Sequence, residues 1–187
     1  MKIKIFTILL VSVFNIFKSQ DLDKDGILDT VIFDKQKNKI ICKLSTQKFK
    51  PIISKQVETY GNISGIRKTK NGFEFFVNFM RAGFANQFYY DKKEKKIRLI
   101  GMSRYEYGPA SNDGSGKSSI NLLTNNYIGE WNHYSFKKND LIKMKPIRTK
   151  MYFPKIFLES YDDRYQEEFE EKCVSLYLKH KEKYKNF

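Results

Sequence analysis

Ile63-Ser64-Gly65-Ile66-Arg67-Lys68-Thr69 and Phe73-Glu74-Phe75-Phe76-Val77-Asn78-Phe79-Met80 are two runs rich in β-branched and aromatic residues, and Asn71-Gly72 stands between them. Asn-Gly in that setting is the strongest short-range hairpin signal, because a tight turn between twisted strands needs positive φ, which these two residues adopt at little cost. The same design recurs on both sides. Runs at 30–33 and 40–44 flank a polar turn at 34–39. Runs at 87–90 and 97–102 flank the charged turn 91–96, and those at 120–124 and 127–131 flank Asn125-Asn126. Runs at 147–153 and 156–158 are broken by Pro154, which belongs on an edge or at a bulge. Residues 108–119 are small and polar and form a surface loop. The chain is therefore expected to be mainly β, an antiparallel hairpin-built sheet of sandwich, barrel or propeller-like form.

One C-terminal α-helix is expected over 161–185. Tyr165, Phe169, Cys173, Leu176 and His180 recur at helical spacing, and Ser160 with Asp163 forms a candidate capping box. Acids fill the first half of this segment and lysines its end, which suits the helix dipole.

Composition sets the outer bounds. With 187 residues, 41% hydrophobic and 16% aromatic, the chain can bury a core and is expected to form a single domain over 20–187. Lys2 and Lys4, the apolar run 5–17 and the small Ser19 match a secretory signal over 1–19. Its cleavage removes Lys2, Lys4 and Lys18 and no acid, lowering the net charge from +14 to +11. After it, no apolar run is long enough to span a membrane. Such a charge favours anionic partners, yet no nucleic-acid-binding pattern accompanies it, so nucleic acid is not the expected partner. Export also permits a disulfide between Cys42 and Cys173, with two separately buried thiols as the equal alternative.

The most specific chemistry lies in Asp21-Leu22-Asp23-Lys24-Asp25-Gly26-Ile27-Leu28-Asp29. Ca²⁺ requires about six to eight oxygen ligands, and a short loop must supply most of them. Asp21, Asp23 and Asp25 alternate, Gly26 permits the sharp turn, Ile27 offers its carbonyl, and Asp29 closes the site. An EF-hand would carry Glu where Ile32 stands, so the loop resembles those of dockerin, integrin-type and FG-GAP-type repeats. The expected ion is a structural Ca²⁺.

Catalytic patterns are few. His133 and His180 are the only histidines, and Ser111 stands where a phosphate-binding P-loop ending in Gly116-Lys117-Ser118 would need Gly. A carboxylate pair for glycoside cleavage would have to come from Glu106, Asp113 and Glu130. The expected class is a binding protein and not an enzyme. Its partner-binding residues are expected to be Arg104, Tyr105 and Tyr107, leading into Asn112, Asp113 and Ser115 of a protruding loop.

Three features together carry a resemblance. They are the Asp-rich loop, aromatic-basic turns such as Tyr89-Tyr90-Asp91-Lys92-Lys93, and the strand-turn Ser119-Ile120-Asn121-Leu122-Leu123-Thr124-Asn125. Over 21–131 the chain resembles secreted or periplasmic β-rich calcium-loop proteins of Gram-negative bacteria, related to periplasmic lysozyme inhibitors and effector immunity proteins. In those inhibitors a loop carrying Ser-Gly-x-x-Tyr enters the lysozyme cleft. Here Ser115-Gly116 keeps the Ser-Gly, and Ser118 and Ser119 stand where Tyr is expected. The resemblance implies an exported, periplasmic or secreted module that binds an unknown protein or envelope glycan and inhibits a cell-wall-degrading enzyme. A general envelope- or matrix-binding protein is the alternative reading, and a small carboxylate-dependent glycan hydrolase is the second.

Overall fold

The computed structural model describes residues 20–184, so the expected signal segment 1–19 and the last residue of the expected helix lie outside the described residues. The described elements are β1 (Thr30–Asp34), β2 (Lys39–Lys43), β3 (Pro51–Ile53), β4 (Ile63–Thr69), β5 (Gly72–Asn78), β6 (Ala82–Asp91), β7 (Lys96–Glu106), β8 (Gly116–Asn121), β9 (Asn126–Ser135), β10 (Asp140–Lys143), β11 (Ile147–Lys150) and α1 (Arg164–Lys181). The fold is mainly β with one C-terminal helix. Strands β1-β2-β3 form a small antiparallel sheet. Strands β4 to β10 form a large antiparallel meander in chain order, and β11 pairs with β9 on the same edge as β10. Neither sheet closes into a barrel.

Four hairpins share one turn. In each, four residues separate the last paired positions: Asp34 and Lys39, Asp91 and Lys96, Asn121 and Asn126, Ser135 and Asp140. The residue opening the turn uses its side chain to hold it. Asp34 Oδ1 accepts from the amides of Gln36 and Lys37, each at 3.0 Å. Asp91 Oδ1 accepts from Lys93 and Glu94, Asn121 Oδ1 from Leu123 and Thr124, and Ser135 Oγ from Lys138. The fourth turn residue is left-handed in every case: Asn38, Lys95, Asn125 and Asn139, with φ between 51° and 57°. The Asp/Asn/Ser opening, with Asn closing three of the four, is the sequence cause of the repeated hairpin.

The Asn71-Gly72 hairpin differs by one residue from its expected form. Thr69 pairs with Gly72, so Lys70 and Asn71 make the turn and Gly72 begins β5. Gly72 is required by close approach, since a Cβ there would stand 2.0 Å from the backbone oxygen of Phe88. The segment beyond β11 makes no hairpin. It runs along the sheet instead, and Leu99 N donates to the Ile156 carbonyl at 2.9 Å. The helix is shorter than expected, and no capping box forms: the Asp163 carboxylate accepts from the amide of Glu58 at 2.8 Å, and Ser160 Oγ donates to the Phe157 carbonyl.

Burial alternates along β5 and β9, so one face of the large sheet is covered and the other is open. On the covered face, Phe73 stacks on Phe88, Phe75 meets Phe33 of β1, and Trp131 stacks on Tyr177 of α1 at 4.9 Å. The small sheet thus covers the β4–β6 end and the helix covers the β7–β9 end. The Cys42–Cys173 bridge is not formed, and both residues are free, buried thiols. Cys42 lies in the small sheet, paired across to Val31 and Ile52, whereas Cys173 lies on α1 near Tyr127 and Ser118 of the large sheet. Burial raises both thiols, Cys173 to about 11.

Candidate metal centre

The loop 21–29 is closed at its base, where Gln20 and Asp29 exchange backbone hydrogen bonds of 3.2 and 3.0 Å. Asp21 curls it. Its Oδ1 accepts from the amides of Lys24 and Asp25 at 2.6 and 3.1 Å, and its Oδ2 accepts from Gly26 at 3.0 Å. The curl requires left-handed backbone at Lys24 (φ 64°) and at Gly26 (φ 90°), where glycine removes the steric penalty. Asp29, only 1% exposed, ties the loop to the small sheet. Its Oδ2 accepts from Leu22 N at 2.7 Å, and its Oδ1 accepts from Ser45 N at 2.8 Å.

One carboxylate oxygen from each of Asp21, Asp23 and Asp29 falls within a 4.8 Å group. Asp23 is 6% exposed; its Oδ2 accepts from Thr46 Oγ1 at 2.5 Å, while its Oδ1 is buried with no hydrogen-bond partner. A buried, unpartnered carboxylate oxygen beside two further carboxylates is costly unless a cation meets it. The donors are all hard oxygens, which suits a hard divalent cation such as Ca²⁺, Mg²⁺ or Mn²⁺ rather than metals that select imidazole or thiolate.

Asp25 lies outside this group. It is exposed, accepting from Ile27 N at 2.8 Å and from Ser45 Oγ at 2.7 Å, and the Ser45 hydroxyl holds its carboxyl below the usual range. The Ile27 side chain is exposed. Ser45 and Thr46 are the residues that sequence reasoning misses. They follow β2 and reach the loop from 20 and 23 positions away. The only local signal is a hydroxyl pair directly after an apolar strand.

The expected partner-binding residues separate into two groups. Tyr105 and Tyr107 lie on the open side with ring centroids 5.8 Å apart, and Asn112 is exposed and accepts from Arg81. Arg104 does not face a partner. It is buried on the covered face, with its guanidinium over Trp131 and an ion pair to Glu106. Ser115 is buried and its Oγ accepts from Asn132. Asp113 pins its loop to the helix. Its Oδ1 accepts from Tyr134 N at 2.8 Å and from Tyr177 Oη at 3.1 Å and meets His133 Nδ1, while its Oδ2 pairs with Lys181. Residues 116–119 of the expected loop are paired in β8, and the loop that remains between β7 and β8 is anchored by Asp113 rather than protruding freely. Burial alone would raise the Asp113 carboxyl, but the Lys181 ammonium and the Tyr134, Tyr177 and His133 hydrogen bonds outweigh it and hold it at about 2. Glu130 is likewise held ionised, by Lys117 at 3.1 Å. Comparison with protein-family models, with curated proteins and with solved structures finds no match to this chain, so its functional reading stands on this geometry.

Proposed function

We propose that the chain is an exported β-sheet binding module whose loop 21–29 holds a structural Ca²⁺. Its partner is a protein or glycan of the bacterial envelope, and its most specific form is an inhibitor of a cell-wall-degrading enzyme. The observation that carries the metal reading is the buried, unpartnered Asp23 Oδ1 on a carboxylate that groups with those of Asp21 and Asp29. The apolar segment 5–17 behind two lysines supports export. The ion's role is mechanical: it neutralises three converging carboxylates and locks the loop onto Ser45 and Thr46. Asp113 and Glu130, both held ionised by lysines, are not prepared as proton donors, which weighs against the hydrolase alternative.

The test is thermal unfolding in Ca²⁺ and in chelator. With a Kd of about 10–100 μM and millimolar ion, linkage contributes ~1.5–3 kcal/mol, a rise of several degrees in a chain of this size. Asp23→Asn keeps an acceptor for Thr46 but removes the charge, and its melting is expected to be indifferent to Ca²⁺. Identical melting of the parent in chelator and in millimolar Ca²⁺ removes the metal reading. The inhibitory form is tested separately, by the rate at which lysozyme clears a peptidoglycan suspension. An unchanged rate in excess protein leaves the general binding form.

A further inference from the structure

The open face of the large sheet has a trough. Phe76, Ala85, Ser103, Ser119 and Ile128 lie in one row across five adjacent strands, by the register of β5 with β6, β6 with β7, β7 with β8 and β8 with β9. The row runs large, small, small, small, large. Solvent-facing strand positions usually carry β-branched, aromatic or long polar side chains, which fill the pleated surface. Three small residues side by side leave the backbone of three strands uncovered between the walls at Phe76 and Ile128. Strands spaced about 4.8 Å apart make this floor about 10 Å across.

In the next row, Gly83 faces Tyr105, and Lys117 and Glu130 follow. A Cβ on Gly83 would stand 2.5–2.8 Å from Cε1, Cζ and Oη of Tyr105. The tyrosine ring therefore lies down across the glycine, with its hydroxyl 3.4 Å from Asn78 Oδ1. This makes a flat aromatic platform beside the trough, and the depression they share has a volume of about 470 Å³. That falls in the ~300–1,000 Å³ range of small-ligand sites.

Each cation that lines it has a carboxylate partner: Arg67 meets Glu74 at 2.6 Å, Lys117 meets Glu130 at 3.1 Å, and Arg104 pairs with Glu106. In a chain of net charge +14, these cations are already matched, and a polyanion entering the depression would meet both lining glutamates. We infer that the open face binds a neutral glycan. Tyr105 stacks on the apolar face of a pyranose ring, and the paired carboxylates and cations, with Asn78, exchange hydrogen bonds with its hydroxyls. The inference rests on the reading of the chain as a binding module and names the surface and ligand class it uses. It does not depend on the ion.

The experiment is amide chemical-shift mapping during titration with chitotetraose and cellotetraose, with tetragalacturonate as the anionic comparator, in Ca²⁺ and again in chelator. Shifts are expected to concentrate at Ala85, Ser103 and Ser119 with a neutral tetramer. Ser103→Leu, which fills the trough, and Tyr105→Ala should each weaken that binding at least tenfold at unchanged melting temperature, and Tyr105→Phe should retain it. The inference is overturned by a folded, Ca²⁺-responsive protein whose amides do not move with either neutral tetramer up to ~10 mM. Binding of tetragalacturonate alone, with steep salt dependence, also overturns it. A protein that binds a neutral tetramer but ignores Ca²⁺ overturns the metal reading and leaves this one standing.

Discussion

At the scale of single residues, the same side-chain type does opposite work in different places. Asp23 has a buried carboxylate oxygen with no hydrogen-bond partner, whereas the Asp113 carboxylate is paired with a cation, Lys181. Asp113 joins the loop between β7 and β8 to α1 through Lys181 and Tyr177, and to β9 through His133 and the Tyr134 amide. Its folded pKa of about 2 lies below the ordinary 3.8. A lowered acid pKa stabilises the fold at pH above the unfolded value, and this stabilisation fades as pH falls from about 4 through 2. Allowing for partial solvent screening, it is worth about 1–2 kcal/mol. Asp113→Asn is expected to lose that amount at pH 7 in urea unfolding, with the gap to the parent narrowing towards pH 2. A gap independent of pH would mean that the lost hydrogen-bond geometry matters and the charge does not. None of this is legible in the sequence. Asp113 sits among Ser, Asn and Gly residues that read as free loop, and its partners lie 20 to 68 positions away. Arg104 is hidden for a related reason, because an arginine on a β-strand reads as solvent-facing, and its burial is made tolerable by the Glu106 carboxylate and the ring of Trp131.

At the scale of elements, most hairpins are legible, since each is specified by residues within six positions, although the turn expected at Asn125-Asn126 takes in Leu122–Asn125 and the Ser135–Asp140 hairpin is not read from the sequence. Asp34, Asp91, Asn121 and Ser135 open the turns, and Asn38, Asn125 and Asn139 close three of them in left-handed backbone. The short strands β3 and β10 are harder to read, because three or four residues show too little alternation to rise above a loop. Turn 92–95 breaks the pattern, with Lys95 at φ 53° in the position that asparagine takes elsewhere. Left-handed backbone costs an ordinary residue about 1 kcal/mol more than it costs Asn or Gly. The Lys95 backbone carbonyl accepts from Gln47, a contact that any replacement keeps. Lys95→Asn is therefore expected to raise stability by about 0.5–1 kcal/mol, measured as a higher denaturant midpoint at unchanged slope. Asn38→Lys, the converse change, should lower it by a similar amount. Equal midpoints for both variants and the parent would show that the turn is held by its opening aspartate alone.

At the scale of the whole molecule, the two sheets are unequally dependent on loop 21–29. Its carboxylates bond Ser45 and Thr46, which follow β2, whereas one described hydrogen bond, from Gln20 Nε2 to the Thr69 carbonyl at 3.4 Å, joins the loop's base to the large sheet. The large sheet has its own support: seven strands paired in chain order, a stacked Phe73–Phe88 pair and the helix seated on Trp131. The small sheet has three short strands and leans on the large one through contacts such as Phe33 on Phe75. Three strands of that length are marginal without such packing. Chelation is therefore expected to act locally before it acts globally. Amide hydrogen exchange in 22–47 should accelerate about tenfold or more in chelator, as the carboxylates repel and Ser45 loses its acceptor. Exchange at the centre of β6, β7 and β9 should stay within error. Uniform acceleration across both sheets would mean that the loop governs the stability of the entire fold. Acceleration confined to 108–115 would place the ion in the Asp113 network instead, and the assignment of the metal to Asp21, Asp23 and Asp29 would be wrong.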